Sequence, residues 1–359
     1  MITKLLSDLV RFRTLSNDYA ENRRTLNWIK KQLQGLPVYF EFFSVNKHPA
    51  LVISTKKTKR PQILLQGHID IVGGPEHLFQ PKVSNGILIG RGVFDMKYAI
   101  ACYIRLFQEL GQKLSQFNIA IMITTDEELG GHDGVEALVN RGFRPQVCFL
   151  PDGGQDWILQ RSAKGILQFR AISRGISGHS SRPWTGDNAI DKLNLFIAEL
   201  RNEFVVEPCK DKNHAHDTMT VSHIQGGQTI NQIPDFARAD IDIRFTPDKT
   251  LTQMLGLVRN IASRLKGIEI LETSSGFSCK VDTSNKDYKM FLNMMKKRKL
   301  PIKFMDSHGS SDARYFLDKK IPCIILRPLG GGHHTDREWI NIKELGKFYS
   351  LLKEFVLSR

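Results

Sequence analysis

The stretch Gln62-Ile63-Leu64-Leu65-Gln66-Gly67-His68-Ile69-Asp70 (QILLQGHID) decides how the chain is read. Gln62–Leu65 is a short apolar run that reads as a buried strand, and it ends at the polar pair Gly67-His68. The same pattern recurs twice. Asn118–Thr124 (NIAIMIT) passes into Thr125-Asp126-Glu127-Glu128, and Val147–Leu150 (VCFL) passes into Pro151-Asp152. Between the first two runs, Tyr98–Gly111 carries apolar residues at helical spacing and stops at a glycine. Strands alternating with helices predict an α/β fold: a mostly parallel sheet covered by helices. In such a sheet the functional site lies at the carboxyl ends of the strands, which is where each of these polar clusters stands.

The middle of the chain has a different rhythm. Gly165–Ser173 reads as a strand, and Asn188–Phe204 as an amphipathic helix with Asp187 as its candidate N-cap. Thr218–Gln225 and Phe236–Phe245 read as strands, Leu251–Leu265 as a helix and Ile268–Leu271 as a strand. The order β-α-β-β-α-β is that of a ferredoxin-like α+β unit. Residues 165–276 are therefore expected to form an inserted domain, with residues 1–164 and 277–359 forming the other. After the insertion a helix (Lys286–Lys297) and a strand (Ile321–Leu326) are expected to complete the first sheet. A chain of 359 residues is long enough for two cores.

Composition narrows the function classes. The net charge of +14, from 51 Lys plus Arg against 37 Asp plus Glu, raises nucleic-acid binding. The basic residues are spread along the chain, however, and the densest run, Lys296-Lys297-Arg298-Lys299, reads as a solvated helix end. No nucleic acid partner is expected. No apolar run reaches the roughly 20 residues of a membrane span, so no membrane partner is expected either. The N-terminal stretch places Ile2, Leu5, Leu6, Leu9 and Val10 at helical spacing and reads as a surface helix. The five cysteines show no CxxC spacing. A reducing, cytoplasmic location follows, and cysteine-held zinc does not.

Five segments carry chemistry. His68 and Asp70 are two apart on a strand end, so they share a side, and Asp70 could accept from the second nitrogen of a metal-bound His68. Gly90-Arg91-Gly92-Val93-Phe94-Asp95-Met96-Lys97 sets Asp95 at the mouth of a helix, a place an N-cap also fills. Asp126-Glu127-Glu128 repel one another and gain nothing from packing, unless a cation removes the conflict; a solvated acidic loop is the bland reading. Asp152 stands in a glycine-rich turn. In Gly332-His333-His334-Thr335-Asp336-Arg337-Glu338-Trp339 either histidine could be a ligand, or the segment is a polar surface loop. Two histidines and several carboxylates without cysteine suit zinc, with cobalt or manganese as possible substitutes.

Taken in order, GHID, GRGVFDMK, TTDEE, PDGG and HHTDRE resemble the dizinc amidohydrolase family of glutamate carboxypeptidase, acetylornithine deacetylase, succinyl-diaminopimelate desuccinylase and aminoacylase. The resemblance covers essentially the whole chain. It implies a zinc-exopeptidase-like catalytic domain with an inserted lid, and two zinc ions. One would be held by His68, Asp95 and Asp152, the other by Asp95, Glu128 and His334, the histidine that lies four residues before Glu338. Glu127 would be the general base and Asp70 the partner of His68. Gly178-His179-Ser180-Ser181 resembles the lid motif whose histidine stabilises the oxyanion. Asn231 and Arg244 match substrate-contacting lid positions, and Arg314, in Gly309-Ser310-Ser311-Asp312-Ala313-Arg314, would hold a substrate carboxylate. A homodimer through the lid is implied.

Two departures from the family pattern bear on substrate. Tyr98 stands where many relatives have glycine, which leaves the shape of the pocket open. Asp152 replaces a glutamate common in deacylases and carboxypeptidases; aspartate there resembles the dipeptidase and aminopeptidase branches. The expected substrate is an N-acyl amino acid, with a dipeptide as the alternative. A non-catalytic binding protein on the same fold is the rival from another class.

Overall fold

The computed structural model describes residues 2–205, 208–210, 215–309 and 311–358. The chain divides into two compact units: Met1–Arg161, Val281–Met305 and Ser311–Arg359 in the first, Ser162–Lys280 and Asp306–Ser310 in the second.

The first unit is built on a six-stranded sheet ordered Tyr39–Val45, His48–Ser54, Ile119–Thr124, Ile63–His68, Val147–Phe149, Cys323–Ile324. The last four strands are mutually parallel. His48–Ser54, Ile63–His68 and Ile119–Thr124 are buried at every position, which is why their sequences run apolar without alternation. The first two strands form an antiparallel hairpin on one edge, turned at Asn46 and Lys47, both with positive φ (45° and 75°), as a tight two-residue turn requires. The helix Lys97–Leu110 is almost entirely buried, and the helices Ile2–Val10, Tyr19–Gln32, Lys286–Lys297 and Ile342–Leu357 add side chains to the same core. Lys97 is fully buried, and its Nζ donates to the carbonyls of Leu9 (3.2 Å) and Phe12 (2.8 Å), tying the first helix to the Asp95 loop. Burial pushes this ammonium down to about 7.

Register sets the site. His68 pairs with Thr124, and Leu65 pairs with Phe149, so the chain leaves three parallel strands at neighbouring carboxyl ends. The segments after them carry Asp70, Glu127, Glu128 and Asp152.

The second unit is a four-stranded antiparallel sheet ordered Thr218–Gly226, Phe236–Phe245, Gly165–Arg174, Ile268–Gly276, with the helices Ala189–Arg201 and Leu251–Arg264. Alternation in Gly165–Arg174 and Phe236–Phe245 puts Leu167, Phe169, Ala237, Ile241 and Phe245 into a core of their own beneath the helices. Two expectations need correction. The N-cap of the first helix is Asn188, whose Oδ1 accepts from the amides of Ile190 and Asp191, whereas Asp187 pairs with Lys192 at 2.6 Å. The strand expected over Ile321–Leu326 is reduced to Cys323–Ile324, which pairs with the short strand Val147–Phe149. Among the described residues no helix is long and apolar enough to cross a membrane.

Separate cores make a direct prediction. Leu65→Ala, at a fully buried position of the first unit, and Phe169→Ala, in the second, should each cost about 2–5 kcal/mol. Urea unfolding followed by circular dichroism measures this; an unmoved midpoint for Phe169→Ala would contradict the second core.

Candidate metal centre

The centre is assembled on the first unit. Asp95 lies at the end of a glycine loop wound around one buried side chain, Glu338. The Glu338 carboxylate accepts from the amides of Gly92 (2.9 Å), Phe94 (2.9 Å) and Asp95 (3.0 Å), and from Arg91 Nη1 (3.0 Å). Gly92 has φ 81°, and a Cβ there would meet Lys97 Cδ at 3.0 Å, so the winding needs glycine. Sequence reasoning used Glu338 only as a spacing mark for His334. Its function is to hold the loop. Burial raises the Glu338 carboxyl, against the lowering effect of the three amides.

The acidic run separates into three tasks. Asp126 faces inward, and its Oδ2 accepts from the amides of Asp133 (2.8 Å) and Gly134 (2.9 Å), which folds the following loop back. Burial, then the charge of Asp70, raises its carboxyl to about 6. Glu127 and Glu128 are left for the site. Glu127 is held well above the usual carboxylate range by burial first and Asp152 second. The Glu128 amide donates to Asp70 Oδ2 at 3.1 Å, and Ser16 Oγ donates to the same oxygen at 3.0 Å. Ser16 was not anticipated; nothing in its local sequence marks it.

His68 is fully buried. Its Nδ1 lies 3.0 Å from the backbone carbonyl of Asp70 and 3.3 Å from Asp70 Oδ1, so the main-chain oxygen, more than the carboxylate, orients the ring. Its Nε2 has no hydrogen-bond partner among the described residues, although Asp95 Oδ1 lies 3.3 Å away. Asp95 Oδ2 lies 3.3 Å from His334 Nε2, which is also 3.1 Å from Glu128 Oε2. Asp95 thus offers one oxygen to each histidine. Two donor groups result, His68 with Glu127 and Asp152, and Asp95 with Glu128 and His334, each with ligand atoms within 4.8 Å of one another.

These residues fit divalent cations. A buried imidazole nitrogen pointing at carboxylates without a hydrogen bond is a ligand awaiting a partner. Hydrogen bonds to Asp95 and Glu128 push His334 up to about 10. For His68, burial opposes protonation, but Asp70 and Asp95 outweigh it and leave the ring well above its usual value. The carboxylates that raise both histidines are the charge a bound cation would balance.

The sequence pattern of peptidase family M20/M25/M40 matches residues 64–358. The chain belongs to this family. Membership makes it a hydrolytic enzyme of a metal-dependent family. It is 26% identical over 316 residues to a succinyl-diaminopimelate desuccinylase of Wolbachia pipientis wMel, covering 82% of this chain and 78% of that one. It is 24% identical over 400 residues to a probable succinyl-diaminopimelate desuccinylase of Staphylococcus aureus strain MRSA252, covering 98% and 95%. The fold is shared with a Staphylococcus aureus tripeptidase (TM-score 0.77, 20% identity, 99% of this chain and 96% of that one). It is also shared with an M20 family metallo-carboxypeptidase from Sulfolobus solfataricus (TM-score 0.78, 16% identity, 99% and 98%).

The remaining expected residues of this M20 chain fall in several places. Tyr98 is wholly buried and donates to the Pro151 carbonyl at 2.7 Å; it braces the Asp152 turn and does not shape an open pocket. Arg314 is also buried, and its Nη2 donates to the Gly130 carbonyl (2.5 Å) and to Tyr315 Oη (2.9 Å). These contacts fasten the loop after Glu128. Ser310 of the same motif lies outside the described residues. In the second unit, His179 is exposed, and its Nδ1 faces Ser181 Oγ at 2.8 Å. Asn231 shares that corner, its carbonyl accepting from the Ser180 amide at 3.1 Å. Arg244 lies near the far end of Phe236–Phe245 and forms a two-pronged pair with Asp242 at 2.8 and 3.1 Å.

Arg327 was missed altogether. It is buried, and its Nη2 donates to Asp95 Oδ1 at 3.1 Å and to Asp152 Oδ1, with the guanidinium 5.2 Å from the centre of the Phe94 ring. Burial raises the Asp95 carboxyl, but Arg327 and then His334 outweigh it and hold it well below its usual range.

Glu338→Gln removes one acceptor oxygen, presents an amide to main-chain N–H groups and leaves Arg91 without its buried counter-charge. It should cost about 3–5 kcal/mol. It should also weaken metal retention through the loosened Asp95 loop. Urea titration with bound-metal analysis tests both, and wild-type metal affinity in the variant would refute the loop-holding role.

Proposed function

We propose that this M20 hydrolase removes the acyl group from an N-acyl amino acid that bears a carboxylate, as a dizinc enzyme. The observation that carries the reading is Asp95, with one oxygen 3.3 Å from His68 Nε2 and the other 3.3 Å from His334 Nε2, next to a buried Glu127. His68, Asp95 and Asp152 would hold one zinc, and Asp95, Glu128 and His334 the other. When bound, the metal would polarise the amide carbonyl and make water acidic enough to attack near neutral pH.

The chain's own groups do the rest. Glu127 takes the proton from the attacking water, and because burial favours its protonated form it can pass that proton to the departing amine nitrogen. Asp70, tied to Ser16 and the Glu128 amide, fixes the loop that carries both glutamates relative to His68. His179 is proposed as a donor to the oxyanion, with Asn231 and Arg244 as substrate contacts; the shared corner of His179 and Asn231 supports this grouping. A homodimer through the second unit and a cytoplasmic location complete the proposal; five cysteines with no disulfide among the described residues suit a reducing compartment.

The substrate class rests on relatives named as desuccinylases. Dipeptide cleavage is the second reading. It is favoured by Asp152, an aspartate at the position where the deacylase pattern has glutamate, and by the tripeptidase among structures of the same fold.

Amine release from N-succinyl and N-acetyl amino acids and from free dipeptides, with added zinc, separates the two. Turnover of the N-acyl series alone is expected, and turnover of dipeptides alone would transfer the assignment. Glu127→Gln should lower kcat by about 10²–10⁴-fold while the protein still folds and binds metal. Chelation should abolish activity, and zinc should restore it.

A further inference from the structure

Arg327 is a charged side chain inside the centre to which neither the family pattern nor the reaction above gives a task. Its position follows from the sheet. Ile324 pairs in parallel with Phe149, and Arg327 and Asp152 each stand three residues further along, so the guanidinium arrives level with the carboxylate. It is buried and rests on the Phe94 ring. Burial of this kind holds the guanidinium in place with little access to solvent.

Its contacts are one-sided. Arg327 Nη2 takes Asp95 Oδ1, the oxygen that faces His68, and Asp152 Oδ1. It makes no hydrogen bond to Asp95 Oδ2, the oxygen facing His334, or to Glu128. Asp95 is common to both halves, but the oxygen it turns to His68 and the Asp152 oxygen are shared with a fixed cation, whereas the oxygen it turns to His334 and the Glu128 carboxylate are not in direct contact with it.

We propose that Arg327 is a positioning residue that makes the two metal positions unequal. The Asp95–Glu128–His334 position fills first and tightly. The position at His68 and Asp152 fills second and weakly, because a dication there must share Asp95 Oδ1 and Asp152 Oδ1 with a guanidinium that cannot leave. The same contacts keep Asp95 and Asp152 in place when that second position is empty, so the centre survives as a one-metal state. This inference rests on the dizinc reading above.

The test counts bound metal directly. Full-length, zinc-loaded protein is equilibrated in buffers of descending free zinc, and the metal per chain is measured by atomic emission. Wild type should lose its two equivalents in two separated steps. Arg327→Gln removes the charge and should tighten the second equivalent by about ten-fold or more, drawing the steps together, with little change in the first. Arg327→Lys keeps a charge without the guanidinium; it should fold and retain a weak second equivalent, which covers the case in which the glutamine variant fails to fold. A single two-equivalent step in wild type, or variants that release metal as wild type does, would overturn the role of Arg327 and leave the dizinc reading intact. Wild type that binds no zinc would overturn both.

Discussion

Glu127, Glu128 and Asp152 are brought together by parallel strands whose ends lie side by side, and Asp95 joins them on the loop held by Glu338; like charges so close in a buried setting cannot coexist without opposite charge. Most of the surrounding structure answers that constraint. Arg327 neutralises Asp95 and Asp152 from one side. His68 and His334 meet the two oxygens of Asp95. Asp126 is turned away, and two main-chain amides hold its Oδ2, so that it adds less to the conflict. What remains is a set of donors suited to divalent cations.

The loops that deliver these groups are held by buried polar contacts more than by packing. Glu338 gathers three amides and Arg91 around itself and so determines where Asp95 points. Asp70 ties Ser16 to the Glu128 amide, and Tyr98 and Arg314 each fasten a main-chain carbonyl of a site loop. Such contacts hold a geometry only while all partners are present, since a buried polar group that loses its partner is costly. The centre is therefore stiff, as a site that must position water, carbonyl and base together requires.

The parallel strands were legible because a strand buried on both faces must be apolar at every position, as in Ile119–Thr124. The antiparallel unit was legible from the alternation in Phe236–Phe245. The donor residues could be read because acids and histidines after apolar strands have few structural uses. Arg327 and Glu338 could not be read in the same way. Arg327 lies in ILRPLG, where a single arginine looks like the end of a strand; it becomes meaningful only when Cys323–Ile324 is set beside Val147–Phe149. Glu338 reads as one more acid in a polar loop, and its three amide donors lie some 245 residues earlier in the chain. The tasks of Tyr98 and Arg314 are likewise set by long-range contacts, which residue type alone does not disclose.

The central claim is that Asp95 joins two metal positions in one centre. Anomalous X-ray scattering at the zinc edge, from crystals grown with zinc, tests it most directly. Two peaks are predicted, one against His68 and one against His334, with Asp95 between them. Strong peaks elsewhere, with none beside Asp95, would contradict the account.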